Sequence, residues 1–204
     1  MTVPTAVPNE RDHEFAKMVL EQQESDRGCV IFGAAHLEDD LKTLLRAHCL
    51  KDARAVKKVV DPLFHVYAPF STFSAKIQVS YAMGLIEEQL HTTLDLIRRL
   101  RNDFAHERKA VSFQTPIYQS RLRKLLNSSQ PEYAKDKTIP MLDDNEQVPG
   151  LGKLTKREFV DRLAFCLCVA RTSARILVSF DYQVNPMGVA AFLSAWSKQQ
   201  AKSQ

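Results

Sequence analysis

Hydrophobic side chains recur every three or four residues along most of the chain, the spacing that gathers them on one face of an α-helix. One such segment runs from Arg27 to Leu50, with Ser25 or Asp26 as a suitable N-cap. Its stripe consists of Val30, Ala34, Leu37, Leu41, Leu44 and His48. A second segment runs from Glu87 to His106. Its stripe consists of Leu90, Leu94, Ile97, Arg101 and Phe104. We predict that these two segments are the central helices of the protein.

Three further helices are predicted in the first half of the chain. One spans about residues 10–24. Asp52 can cap a second, short helix, which Pro62 ends or bends because proline lacks the backbone N–H that a helix interior uses. Either Ser71 or Thr72 can cap a third helix, which runs to about Gly84. Its predicted inward side chains are Phe73, Ile77, Tyr81 and Leu85.

Three helices are also predicted in the second half. Thr115 is a suitable N-cap before Pro116, which favours a short helix that ends at Leu126. Thr155 and Glu158 form a capping-box pattern, which begins a helix that runs to about residue 180. Its predicted core face consists of Phe159, Leu163, Cys166, Leu167, Ala170, Ala174 and Leu177. A last helix is predicted to begin at residues 185–186.

These helices account for nearly all periodic segments, and no segment shows the pattern of a β-sheet. The predicted fold class is therefore all-α, a single bundle of about seven or eight helices. We expect a flexible N-terminus at residues 1–10 and one helical domain at residues 11–200. Residues 127–153 are rich in Pro, Gly, Ser and Asp and have no clear period, so a long loop is predicted there.

Composition narrows the class of protein. The 204 residues are 45% hydrophobic and 25% charged, as in ordinary globular proteins. The first ten residues lack the basic and apolar regions of a secretory signal. The longest apolar run, from Leu163 to Ala170, is far shorter than the roughly 20 residues of a membrane helix. We expect a cytoplasmic protein that does not contact the membrane.

The four cysteines are too few for a disulfide scaffold, and we expect all four to be reduced. Cys29 and Cys49 would lie about 30 Å apart along one helix, beyond the reach of a disulfide. Cys166 and Cys168 would point to nearly opposite sides of another helix, which is unsuitable for a zinc pair. Buried cysteine usually packs as a small hydrophobic side chain.

The most specific local motif is Arg101-Asn102-Asp103-Phe104-Ala105-His106. An arginine, four residues and a histidine resemble the motif of the HEPN superfamily, in which many members are metal-independent ribonucleases. That resemblance implies that Arg101 would steady phosphate charge and His106 would transfer a proton, with two subunits forming the cleft. Asn102 is the third residue of this alternative site. A structural role competes with it, because Arg101 can pair with a buried carboxylate and His106 suits a helix C-terminus.

A ligand or partner surface is the remaining interpretation of this neighbourhood. Its candidate residues are Arg98, Arg101, Asn102, His106, Ser71 and Thr72. Further basic residues follow in the sequence, but acidic residues between them favour a solvated, salt-bridged face. The net charge of +4 permits contact with nucleic acid without arguing for it. No helix-turn-helix, zinc-finger or RNA-binding motif is evident in the sequence.

Two histidine–aspartate pairs have the i, i+4 spacing of ligands on one helical face. They are His36 with Asp40 and His91 with Asp95. Neither pair has the sequence context of a known helical metal site. There is also no phosphate-binding glycine loop and no nucleophile elbow. We therefore expect no metal and no cofactor.

Three blocks of sequence resemble the mannitol operon repressor family. They are residues 27–41 (RGCVIFGAAHLEDDL), residues 69–86 (PFSTFSAKIQVSYAMGLI) and residues 95–106 (DLIRRLRNDFAH). The resemblance implies an all-helical bacterial protein, classed as a regulator of transcription of sugar-alcohol uptake genes. It further implies a non-enzymatic repressor that acts through another protein, such as a DNA-binding regulator. A homodimer, direct nucleic-acid binding, a ribonuclease and a pure scaffold remain alternatives.

Overall fold

The computed structural model describes residues 25–49, 52–129 and 155–178. Within these ranges the chain forms α-helices and no β-strand, so the all-α prediction is confirmed. The helices are α1 (Asp26–Ala47), α2 (Ala53–Ala55), α3 (Phe73–Ala82), α4 (Glu88–His106), α5 (Pro116–Ser129) and α6 (Lys156–Val178). The helices predicted at residues 10–24 and from residue 185 lie outside the described ranges. None of the described helices is both long and apolar enough to span a membrane.

At the start of four of these helices a side chain accepts hydrogen bonds from backbone N–H groups, as Asp52 does at α2. The hydroxyl of Ser25 accepts a hydrogen bond from the backbone N–H of Gly28 at 3.1 Å, so Ser25 is the N-cap of α1. Thr72 serves α3 in the same way. At α6, the hydroxyl of Thr155 accepts from the N–H of Glu158 at 3.3 Å, while a Glu158 oxygen accepts from the N–H of Thr155 at 3.0 Å. The predicted capping box is confirmed.

α1 lies at the centre of the bundle, where it packs against α3, α4 and α6. The apolar part of its predicted stripe is buried as expected, namely Val30, Ala34, Leu37, Leu41 and Leu44. The stripe of α4 is buried with it, through Leu90, Leu94, Ile97 and Phe104. The predicted central pair of α1 and α4 therefore forms. However, α6 packs on α1 just as closely, and the periodicity of α1 and α4 could not predict this contact.

The buried face of α6 differs from the predicted one. Cys166, Ala170 and Ala174 are buried as expected, whereas Phe159, Leu163, Leu167 and Leu177 are only half-buried. Fully buried instead are Phe165, Cys168, Val169 and Ile176. The orientation is set by side chains outside the helix, because Phe165 packs on Phe113 with ring centroids 5.6 Å apart. Apolar residues cover more than one face of α6, so the helix can bury this face instead of the predicted one.

Two smaller predictions about inward side chains are wrong. Tyr81, expected to face the core from α3, is 41% exposed and stacks on His91 with ring centroids 4.5 Å apart. This position is the last turn of α3, where the ring meets α4 at the surface. His48, placed on the α1 stripe, is exposed and lies just past the end of the helix.

α5 extends three residues beyond its predicted end at Leu126, as far as Ser129. α4 holds this last turn. The hydroxyls of Thr93 and Ser128 lie 3.0 Å apart, and the amide of Gln89 donates to the carbonyl oxygen of Ser128 at 3.0 Å. Contacts with a neighbouring helix thus extend a helix that the local pattern ends earlier.

A buried ion pair joins three segments that are distant in sequence. Asp26, in the first turn of α1, accepts a hydrogen bond from Nε of Arg162 at 2.5 Å. Its other carboxylate oxygen accepts from the backbone N–H of Phe113 at 2.8 Å. Both charged side chains are almost fully buried. This pair ties α1, α6 and the connection between α4 and α5 together.

All four cysteines are free, and two of them meet in the core. The sulfur atoms of Cys29 in α1 and Cys166 in α6 lie 3.8 Å apart. The hydrogen bond with Cys166, together with burial, raises the pKa of the Cys29 thiol well above its ordinary value. The Cys29 thiol is therefore protonated and packs against the sulfur of Cys166, a contact that spacing within single helices could not predict.

Candidate functional site

A cleft of about 380 Å³ lies between the C-terminal half of α4 and α5. Leucines form its apolar part, and the rest of its lining is polar or charged. The lining residues are Leu96, Leu100, Leu125, Arg99, Arg121, Lys124, Asn102 and Asp103. A volume of this size is within the range of small-molecule sites. We refer to it as the α4/α5 cleft.

Charge in the α4/α5 cleft is only partly balanced. Arg121 on α5 forms an ion pair with Asp103 on α4, and its guanidinium lies 5.8 Å from the ring centroid of Tyr118. Arg99 pairs instead with Asp95, one turn earlier on α4. Lys124 is exposed and forms no ion pair with another described residue. The cleft thus offers one unpaired cation beside two paired arginines.

Asp95 organises the arginines at the start of this half of α4. One of its oxygens accepts from Nε and Nη2 of Arg98 at 2.9 and 2.7 Å, and the other accepts from Nε of Arg99 at 2.7 Å. Partial burial by itself would raise the pKa of the Asp95 carboxyl. The hydrogen bonds and charges of the two arginines outweigh it, so the pKa lies below its ordinary value. The carboxylate is charged at neutral pH and holds both arginines in place.

The structure places Arg101 beside Asn102, whereas Arg101 and His106 lie on different faces of α4. Nη1 of Arg101 donates to the side-chain oxygen of Asn102 at 3.1 Å, and Arg101 is half-buried. His106 is the last residue of α4 and is exposed. Five residues along a helix correspond to about 140° around its axis. Arg101 and His106 of one chain therefore do not converge, and the ribonuclease alternative would require a second copy of the chain.

Ser71 and Thr72 have roles at the beginning of α3. The hydroxyl of Thr72 caps that helix by accepting from the N–H of Ala75 at 3.1 Å. The carbonyl oxygen of Ser71 lies 3.4 Å from Nζ of Lys76, which also donates to Glu38 at 2.7 Å. No hydrogen bond or ion pair among the described residues joins Ser71 or Thr72 to the candidates on α4.

One of the two predicted histidine–aspartate pairs, His36 with Asp40, comes together, whereas His91 and Asp95 contact other residues. The ring of His91 stacks on Tyr81 and lies 3.2 Å from the amide nitrogen of Gln78, while Asp95 is held by arginines. His36 and Asp40 lie 3.7 Å apart. In the part of the chain that the structure describes, no three His, Cys, Asp or Glu side chains are grouped in a way that could hold a metal ion.

Asn102 is the one predicted site residue on α4 that lines the α4/α5 cleft. Arg99, Asp103, Arg121 and Lys124 line it, and none of them was a candidate site residue. Their signal in the sequence was the density of basic residues at positions 98–124. Such density does not reveal which side chains share a surface, because this depends on how α5 packs on α4.

Comparison with known proteins agrees with this architecture. The sequence profile of the family described as "Mannitol repressor" matches residues 17–176, most of the chain. The chain belongs to the mannitol repressor family. The resemblance carried by residues 27–41, 69–86 and 95–106 is thereby confirmed, since all three blocks lie inside the matched region.

Two curated relatives of this family are the mannitol operon repressors of Escherichia coli strains K12 and O6:H1. Each is 26% identical to the chain over 107 residues, which is 51% of this chain and 55% of the relative. The chain spans about half the length of the curated relatives it matches.

Two solved structures show the same fold as this member of the mannitol repressor family. The X-ray structure of the MtlR–HPr complex from Escherichia coli matches with a TM-score of 0.63 and 17% identity, over 82% of this chain and 99% of that one. A possible transcriptional regulator, YggD from Shigella flexneri 2a, matches with a TM-score of 0.65 and 15% identity, over 86% of this chain and 99% of that one.

Proposed function

We propose that this protein is a non-enzymatic regulator of transcription, repressor-like, that acts by contact with another protein in the cytoplasm. The observation that carries the proposal is the family match over residues 17–176. The relatives named as mannitol operon repressors and the structural neighbour described as a possible transcriptional regulator support it. Control of sugar-alcohol genes is the corresponding role for this chain.

A protein partner is supported by the structural neighbour from Escherichia coli, the MtlR–HPr complex. We propose HPr as the first partner to test. A DNA-binding regulator and a second copy of this chain are further partners that the same mode of action would use. In each case the protein would influence transcription through its surface and not through a DNA-reading helix of its own.

We further propose that the C-terminal half of α4, together with the α4/α5 cleft, is a ligand or partner surface. Arg98, Arg101, Asn102 and His106 belong to this half of the helix. The supporting observations are the exposed His106 and an exposed Lys124 that forms no ion pair with another described residue, beside a cleft with an apolar part. Basic groups and amides of this kind bind carboxylates or phosphates on a partner.

Two binding measurements test the indirect mechanism. The purified full chain is titrated with HPr by calorimetry, and in parallel it is mixed with promoter DNA of candidate operons in a gel-shift assay at about 0.15 M salt. We expect saturable binding of HPr and only weak, salt-sensitive association with DNA. Tight, sequence-specific DNA binding by the isolated protein would overturn the proposal.

Two variants of α5 with the same charge change test the proposed surface. Lys124→Glu places a carboxylate in the α4/α5 cleft, whereas Arg123→Glu makes the same charge change at a neighbouring position that does not line it. We expect Lys124→Glu to weaken partner binding about tenfold or more. Equal effects of the two variants would show that only net charge matters and that the cleft is not the site.

RNA cleavage would contradict the non-enzymatic part of the proposal. Wild-type protein and His106→Ala are incubated with a panel of structured and single-stranded RNAs without metal ions. We expect both proteins to leave the RNAs intact. Cleavage by the wild type that is lost in a folded His106→Ala variant would establish the ribonuclease alternative.

A further inference from the structure

The loop between the irregular helical segment and α3 presents Tyr67 to solvent in a strained conformation. Its side chain is 99% exposed, and its backbone has a φ of 65°. Among the described residues it is the one non-glycine residue with a positive φ. Residues with a Cβ rarely adopt this conformation, and when they do, the surrounding structure must hold them there.

Backbone hydrogen bonds on both sides of Tyr67 provide that support. The N–H of Ala68 donates to the carbonyl oxygen of His65 at 3.1 Å, and the N–H of Phe70 donates to that of Leu63 at 2.9 Å. The rings of Phe64 and Phe70 pack edge to face with centroids 5.5 Å apart. The loop is therefore closed on itself, and the aromatic ring of Tyr67 projects from a rigid base.

Other exposed apolar side chains accompany Tyr67. Residues 53–64 form a continuous helical segment, in which α2 is followed by a π-helix at Val56–Val60 and a 3₁₀-helix at Asp61–Phe64. Val60 is the one residue of this segment that is buried. Val59 is 56% exposed, and Val66 in the following loop is 77% exposed. We call residues 53–71 the Tyr67 platform; none of them lines the α4/α5 cleft.

The uncompensated charge of the Tyr67 platform is positive. Arg54, Lys57 and Lys58 are exposed and form no ion pair with a described residue. The acidic residue Asp61 is neutralised by Arg46 of α1, at 2.6 Å. The helical part of the platform is about 20 Å long at the usual rise per residue. Its valines, tyrosine and cations therefore fit within the footprint of one protein–protein interface.

We propose that the Tyr67 platform is a docking surface for a partner protein whose contact face combines an apolar pocket for the Tyr67 ring with surrounding carboxylates. This inference rests on the proposed mode of action by protein contact and assigns a surface to it. Exposed tyrosine on a rigid base is typical of interface anchors, because little side-chain entropy is lost on binding. The lysines and arginine on the helical part of the platform favour an acidic partner and a fast encounter.

A protein fits the platform better than single-stranded nucleic acid does. Surfaces that bind single-stranded nucleic acid stack successive bases on several aromatic rings along a basic groove. Here Tyr67 is accompanied by Val59 and Val66, which cannot stack with a base and instead suit a protein apolar pocket.

The first step of the test is photo-crosslinking in cells. The full chain carries p-benzoylphenylalanine in place of Tyr67, and a matched control carries it in place of Ile117, which is 54% exposed on α5. We expect a protein adduct from position 67 that position 117 does not give. Absence of an adduct from position 67, or an adduct with RNA, would overturn the proposal.

The second step measures affinity, because capture alone does not identify a docking surface. The captured protein is purified, and its Kd is measured for the wild type, Tyr67→Gly, Lys57→Glu/Lys58→Glu and Ile117→Ser. Glycine accepts a positive φ, so Tyr67→Gly removes the ring without disturbing the loop. We expect each of the first two variants to weaken binding about tenfold or more, with the charge effect shrinking at high salt. Ile117→Ser should stay within about twofold of the wild type.

The affinities also separate this inference from the proposed function. A Kd for Tyr67→Gly within about twofold of the wild type, at an unchanged melting temperature, would overturn the docking surface. If Lys124→Glu weakened binding of the same partner, contact through the α4/α5 cleft would still support the proposed function. Tight binding of promoter DNA by the isolated chain would instead remove the basis of both.

Discussion

α1 and the Tyr67 platform lie close together in the chain and use apolar residues in opposite ways. α1 is regular, begins with a side-chain cap, and buries an apolar stripe against three neighbouring helices. The platform changes from α to π to 3₁₀ geometry within 12 residues and leaves two valines and a tyrosine in solvent. The apolar side chains of α1 stabilise the fold, whereas the exposed ones of the platform contribute little to it. The exposed apolar surface of the platform is therefore available for a partner.

The largest expected effect is at the beginning of α1. Asp26→Ala should lower the free energy of unfolding by about 3–5 kcal/mol, because it removes the carboxylate from a buried ion pair with Arg162. It also removes the acceptor for the N–H of Phe113. Urea denaturation measures the change. The double variant Asp26→Leu/Arg162→Met should recover most of the loss, and a loss below about 1 kcal/mol for Asp26→Ala would show that the pair is not needed.

The next comparison removes apolar groups from both regions. Leu37→Ala, at a fully buried position of α1, should cost about 2–5 kcal/mol, since it leaves a cavity in the core. Val66→Ala, at an exposed position of the platform, should change stability by less than about 0.5 kcal/mol. Thermal and urea unfolding of both variants test the contrast. Comparable losses would mean that the platform is part of the folding core.

A smaller effect with a defined pH dependence is expected at Asp95. The pKa of this carboxyl is lowered in the folded protein, so its charged form stabilises the fold. That stabilisation is fully present above the unfolded pKa of about 4 and is lost as pH falls through the lowered folded value. Asp95→Asn should therefore lower stability at pH 7 by up to about 1 kcal/mol, with the difference from the wild type vanishing at about pH 2. A difference independent of pH would contradict this account.

The smallest expected effect has the opposite sign. Tyr67→Gly should leave stability unchanged or raise it by up to about 1 kcal/mol, because the strain of a positive φ is relieved while glycine adds entropy to the unfolded chain. Tyr67→Ala, which removes the ring but keeps the strain, is the control. Unfolding monitored by circular dichroism distinguishes them. A clear loss of stability in Tyr67→Gly would indicate that the ring has a structural role.

The candidate surfaces show where prediction from sequence stops. The motif at residues 101–106 stands out in the sequence, because arginine, asparagine and histidine in one short stretch are chemically unusual, and two of its residues, Asn102 and Asp103, line the cleft. It could not indicate that Arg121 and Lys124 lie opposite, since that depends on the packing of α5. No sequence pattern indicated Tyr67 either, because its distinguishing features are its positive φ and the exposure of its side chain.

Local sequence patterns predict the α-helices that the structure describes, with most of their caps and the buried stripes of α1 and α4. Helix periodicity and capping depend on residues three or four positions apart, so they can be predicted from a short segment. In contrast, the buried face of α6 and the contacts of Asp26 with Arg162 and of Cys29 with Cys166 become known only from the packed structure. The last two contacts join residues more than 100 positions apart, and all three features depend on how whole helices pack against one another.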